Sequence, residues 1–233
     1  MNRVTFFAPE CPAEIIAAIG ENWEFQNQNA VQRSRDYLNE LGKRGDEILH
    51  ALVNGKTTTG WQFLSTAVSG NLTILKVGQV IGGYHIDSVE VSWDRGQPKP
   101  KLTIAGHAHD GVEGGHNSCR TYSSTVTIPA TAFGIPSDLG AVKLSDSAEV
   151  DYRSARYSLS CSHIDETGRT GNQLAGNNHD GVESFSVEFT GEAEGSDYEI
   201  ADGWSCPTSS QTPSNTGVTT SSLELVHHIA SDN

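Results

Sequence analysis

A chain of 233 residues with 36% hydrophobic residues and 24 glycines carries enough apolar material for one packed domain, which excludes a disordered chain. Its formal net charge is -14, with no Lys or Arg after Arg169 and ten acidic residues from Asp180 to Asp232. That balance argues against tight nucleic-acid binding, whose affinity comes from cations neutralising phosphates, and suits either solubility or a surface along which nucleic acid passes without adhering.

Met1 to Phe7 shows neither the basic start nor the long apolar run of a signal peptide, and no later window approaches the roughly 20 apolar residues of a membrane span. Synthesis and retention in a cytoplasm are expected, with no membrane partner. The four cysteines, Cys11, Cys119, Cys161 and Cys206, lie far apart without a C-x-x-C pair. Reduced, mostly buried thiols are expected, and neither a zinc knuckle nor a redox motif.

In chain order, residues 1–71 form an N-terminal segment expected to integrate with the main domain. Within it, Ala30 to Val53 reads equally as an amphipathic helix, from Leu38, Leu41, Leu49, Leu52 and Val53, or as two strands separated by Gly42-Lys43-Arg44-Gly45. From residue 72 onward the apolar residues recur with period two, the signature of half-buried strands. Val89, Val91 and Trp93 lead, followed by Leu102 and Ile104, Val126 and Ile128, and Val142 and Leu144. Tyr157, Leu159 and Cys161 come next, then Phe185, Val187 and Phe189, and finally Leu223 and Leu225. Asp94-Arg95-Gly96, Gly134-Ile135-Pro136, Glu166-Thr167-Gly168 and Gly191 supply turn chemistry between them. The uncharged stretch Ser205 to Ser222, rich in Ser, Thr and Pro, reads as a long loop or extended arm. The expected fold is all-β and largely antiparallel, a β-sandwich or barrel over residues 72–233 with at most one or two helices.

A decapeptide recurs: Ile104-Ala-Gly-His-Ala-His-Asp-Gly-Val-Glu113 returns as Leu174-Ala-Gly-Asn-Asn-His-Asp-Gly-Val-Glu183, with seven of ten positions identical. Two copies suggest two equivalent corners of a sheet. In both, Asp-Gly predicts a tight turn, which makes His109 and His179 turn-adjacent polar residues.

His107 and His109, two apart at a strand end, with Glu113 and His116 close behind, have the spacing of a metal site. His107-x-His109-x-x-x-Glu113 resembles the core of the first cupin motif, which implies a metal-dependent enzyme. Lys101 and Arg120 stand where cupins place glycines, no second cupin motif follows, and the second decapeptide has Asn177 in place of His107. No nucleophile elbow, Walker loop or dinucleotide fingerprint occurs. Glu188, Glu192 and Glu194 read as the wet face of a sheet. The expectation is a non-enzyme with no catalytic residues and no cofactor. A carbohydrate- or receptor-binding β module using Trp93, Trp204 and Tyr198 is a further alternative.

Val80-Ile-Gly-Gly-Tyr-His-Ile-Asp-Ser-Val-Glu-Val-Ser-Trp93 and Pro98-Lys-Pro-Lys-Leu-Thr-Ile-Ala-Gly-His107 resemble tail structural proteins of bacteriophages and prophages. Cys161-Ser-His-Ile-Asp165, Leu174 to Glu183 and Ser222-Leu-Glu-Leu-Val226 extend the similarity over roughly the last two thirds of the chain. The resemblance implies a tail-tube-like subunit of a virion, made in the host cytoplasm. Its partners would be copies of itself, joined through sheet edges and arms, and other tail proteins around a channel for DNA.

Overall fold

The structure, a computed structural model, describes residues 10–34, 37–41, 43, 47–52, 55–97, 99–109, 120–131, 142–144, 151–167, 173–190, 198–200, 202–213 and 219–232. In chain order the elements are α1 (Ala13–Ile19), β1 (Trp23–Gln28), β2 (Gln32–Ser34), β3 (Tyr37–Leu41), β4 (Glu47–Leu52), β5 (Lys56–Ser65), β6 (Ser69–Leu72), β7 (Val80–Ile81) and β8 (Tyr84–Asp94). They continue with β9 (Lys101–His109), β10 (Ile128–Thr131), β11 (Val142–Leu144), β12 (Asp151–Thr167), β13 (Gln173–Thr190), β14 (Tyr198–Ile200), β15 (Ser205–Pro213) and β16 (Thr219–Ile229). Among the described residues the fold is all-β and antiparallel with one short helix.

Ten strands form the main sheet, in the order β1-β5-β9-β8-β12-β13-β16-β15, with β2 alongside β5 and β7 alongside β8. Among the described residues this sheet is open, not a barrel: β1 and β15 are its two ends. One face is the core, where the period-two residues meet in cross-strand rows. Trp61 faces Ile104, which faces Val89, which faces Leu159. Leu102, Val91, Tyr157, Phe185 and Leu225 make a second such row. All are buried, and each buried side chain of this size contributes about 1.5–3 kcal/mol through removal from water. The opposite face alternates Ser92, Glu90, Arg156, Ser186 and Glu224 and stays wet.

The second layer over the core contains α1, the β6–β10 pair and the segments around Leu75, Val77 and Tyr122. Helix α1 begins after Pro12 and stops at Gly20, whose φ of 81° lies in the left-handed region that ends helices cheaply. Its Ile15 and Ile19, four residues apart, share one buried face.

Of the two readings open for Ala30 to Val53, the strand reading holds: the segment contains the antiparallel strands β3 and β4. Other expectations need correction. The stretch from Ser205 is no loop or free arm: β15 pairs along β16 from Ser205 opposite Val226 to Pro213 opposite Thr219. In the second decapeptide, Asp180-Gly181 is not a tight turn either, because β13 runs through it. Ser160 pairs with Val182 and Ser162 with His179, so two residues oppose Cys161 in a bulge, with Asp180 at φ 54°. The first copy ends strand β9 whereas the second opens β13, so the copies are not equivalent corners. The turn expected at Asp110-Gly111, and those at 134–136, 168 and 191, lie outside the described residues. Asp94-Arg95-Gly96 does turn β8 toward β9, with Gly96 at φ 89°.

Of the cysteines described, Cys11 is buried, Cys161 half-buried and Cys206 exposed, so burial is less general than expected. Burial pushes the Cys11 thiol up to about 12, and the thiolate is the reactive form. Iodoacetamide at mildly alkaline pH is therefore expected to label Cys206 in the folded protein and to spare Cys11, as peptide mass mapping would show.

Candidate functional site: a histidine cluster and the two ends of the main sheet

Three adjacent strands bring three imidazoles together. His107, at the end of β9, pairs directly with His85 at the start of β8. The antiparallel β8–β12 register, which ends at Ser160 opposite Ser88, carries His163 alongside His85. The ring centroids lie 4.2 Å apart for His85–His163 and 4.8 Å for both His85–His107 and His107–His163. One ligand nitrogen from each of the three falls within 4.8 Å of the others. His85 and His107 are fully buried, and His163 is half-buried.

Two polar side chains orient these rings. Between β8 and β9 the register passes from Ile86–Gly106 to Ser88–Ala105, so Asp87 is the extra residue of a bulge, a device that re-aims a side chain. Its Oδ1 accepts from Nδ1 of His85 at 2.9 Å and from Nδ1 of His107 at 2.8 Å. Gly106 permits the tight approach, since a Cβ there would stand 2.6 Å from the His85 carbonyl oxygen. Burial disfavours ionisation of Asp87, yet the hydrogen bonds and charges of His107 and His85 outweigh it and hold the carboxyl well below its usual range. Burial lowers His107 from its ordinary imidazole value, more than the Asp87 hydrogen bond and charge raise it. The result is a carboxylate held between the two imidazoles.

On the other side, Asn178 of β13 pairs with His163. Its Nδ2 donates to the carbonyls of Gly78 and Arg120, which fixes the amide orientation and turns Oδ1 toward the rings. That oxygen accepts from His163 Nδ1 at 2.7 Å and from His85 Nε2 at 2.8 Å. Asp87 and Asn178 thus engage both ring nitrogens of His85.

Of the residues singled out by spacing, His107 belongs to this cluster and His109 stands beside it, with ring centroids 5.2 Å apart edge to face. Glu113 and His116 lie outside the described residues. His85, Asp87, His163 and Asn178 escape a reading confined to neighbours in sequence. Glu188 sits on the wet face, 3.5 Å from Arg153, whereas Glu192 and Glu194 lie outside the described residues. Trp93 is buried in the core and Trp204 packs against His227 at 5.3 Å, which removes Trp93 from any exposed aromatic platform. The Tyr198 side chain lies outside the described residues.

A second polar network crosses the core. The Glu183 side chain is fully buried, and its Oε1 accepts from the Tyr157 hydroxyl at 2.7 Å and from the Thr125 amide at 3.3 Å. Its Oε2 accepts from His227 Nδ1 at 2.9 Å. Burial pushes the Tyr157 phenol well above its usual range, and the Glu183 charge adds to this. Tyr157 is thus a fixed donor rather than an acid.

The two ends of the main sheet form the remaining feature. Among the described residues, β15 is exposed at all nine positions and pairs with β16 alone, and β1 pairs with β5 alone. Natural sheets commonly blunt such edges with charge, proline or bulges; β15 carries no charge, and its Pro207, its Pro213 and the register shift between Ser205 and Thr208 leave Thr208 to Thr212 as the regular stretch. No helix is long and apolar enough to cross a membrane among the described residues. No family model matches the chain, and no curated protein matches it.

Proposed function

We propose that the protein is a self-assembling structural subunit of the tail-tube type, in which β15 of one copy adds to the β1 edge of the next. The observation that carries this reading is the open sheet with an uncharged nine-residue edge at one end and a second edge at the other. The backbone N–H and C=O groups on the outer side of such a strand are a template for a further strand. A contact between two different edges is head-to-tail, and repetition of it closes a ring or builds a filament. In a chain of net charge -14, a neutral edge is also where two copies meet with least repulsion. On the wet face Arg156 and Arg153 stand 3.4 Å and 3.5 Å from Glu90 and Glu188, and Glu224 adds a further carboxylate, so the face offers DNA phosphates little to bind, as a conduit requires. Assembly and DNA passage are the whole function in this reading, and no reaction is assigned.

Sedimentation velocity over a concentration series tests it. Wild-type chain is expected to form rings or longer stacks, while Ser209→Glu with Gln211→Glu, which gives the β15 edge the same sign as the chain's net charge and as Glu24 on β1, is expected to sediment as a monomer with unchanged circular dichroism. Wild-type protein that stays monomeric at high concentration contradicts the proposal.

A further inference from the structure

We propose that His85, His107 and His163 form a site for one divalent transition-metal ion of the zinc class, with Asp87 and Asn178 orienting the rings from outside. The inference stands apart from the assembly reading and rests on the convergence of the three rings. An all-imidazole donor set selects borderline ions such as Zn²⁺, Co²⁺, Ni²⁺ or Cu²⁺ over Mg²⁺ or Ca²⁺, which take oxygen ligands.

The hydrogen bonds define which nitrogens are suited to bind. His107 donates its Nδ1 proton to Asp87, and His163 donates its Nδ1 proton to Asn178 Oδ1. In a neutral ring this places the lone pair on Nε2, and a ring whose other nitrogen is held by a carboxylate or amide oxygen is the usual form of a metal-bound histidine. His85 is the ring that must change: its Nε2, now hydrogen-bonded to Asn178 Oδ1, turns from that amide to the ion. Asp87 continues to hold its Nδ1.

Distances fit with modest adjustment. A tetrahedral ion with metal–nitrogen bonds of about 2.0–2.1 Å spaces its nitrogens about 3.4 Å apart. One ring nitrogen from each of the three lies within 4.8 Å of the others, so ring rotations that present Nε2 and close a gap of up to roughly 1.4 Å complete the set. Asp87 and His163 are only partly buried, which places the cluster within reach of solvent.

The test uses full-length, untagged protein stripped with a chelator and then titrated with Zn²⁺ or Co²⁺ alone. About one equivalent is expected to bind per chain, and Co²⁺ is expected to give the intense visible bands of four-coordinate geometry. His163→Gln, at a half-buried position chosen so that the fold survives, is expected to lose the site with unchanged circular dichroism. Asp87→Asn is expected to keep the stoichiometry and to bind about 10- to 100-fold more weakly. Two results overturn the proposal: folded wild-type protein that takes up less than about a tenth of an equivalent under conditions where such sites fill, or His163→Gln that binds as tightly as wild type.

Discussion

Trp61→Ala is expected to destabilise the protein by about 3–5 kcal/mol. The Trp61 side chain is completely buried in β5, facing Gln28 on one neighbouring strand and Ile104 on the other. Its ring meets Tyr84 edge to face at 5.0 Å, and its Nε1 donates to the Glu10 carbonyl at 3.1 Å. Truncation therefore loses the transfer free energy of the indole, opens a cavity between three strands, and orphans the Glu10 carbonyl that the indole caps. In a chain of this length, such a loss lowers Tm by roughly 6–20 °C. Trp61→Phe retains most of the volume and loses the hydrogen bond, so its cost is expected to be less than half that of alanine. Differential scanning calorimetry of the two variants separates packing from hydrogen bonding.

The second large effect concerns the carboxylate in the core. His227→Ala is expected to cost about 3–5 kcal/mol, because it leaves Glu183, fully buried, without its imidazole partner. Glu183→Gln removes the charge while keeping the shape. In a chain already carrying Glu183→Gln, the His227 truncation is therefore expected to cost less, by a coupling of about 0.5–3 kcal/mol. Urea denaturation of wild type, the two single variants and the double variant measures that coupling. Equal costs of the His227 truncation in both backgrounds would mean that the pair does not interact.

Most of the sheet is legible in the sequence because one of its faces is buried. Where a strand buries one side only, as with Val89, Val91 and Trp93 or Phe185, Val187 and Phe189, alternation survives in the residue order. β15 carries no such signal. All its positions are exposed, so no apolar rhythm exists and only its pairing with β16 makes it a strand. Ala30 to Val53 is ambiguous because its leucines fit both periods. Asp180-Gly181 misleads for a different reason: the left-handed conformation that Asp-Gly accommodates serves a bulge as readily as a turn. The strand pattern continuing through Phe189 is the signal that the chain does not reverse there.

The histidine site is legible only in part. His107 announces itself through its spacing from His109, but its partners lie 22 residues before it and 56 after it in the sequence. The strand order β9-β8-β12 is what makes them neighbours, and a local motif search has no access to that order. Asp87 reaches the rings because a single residue is inserted in β8, a feature that leaves no mark in composition or periodicity.

An electron cryomicroscopy map of the assembled particle tests the central claim most directly. It is expected to show one continuous sheet crossing the subunit boundary, with Thr208 to Thr212 of one copy hydrogen-bonded to the strand Trp23–Gln28 of the next. A particle whose copies meet elsewhere while β15 stays uncovered, or a preparation containing only single copies, would contradict it.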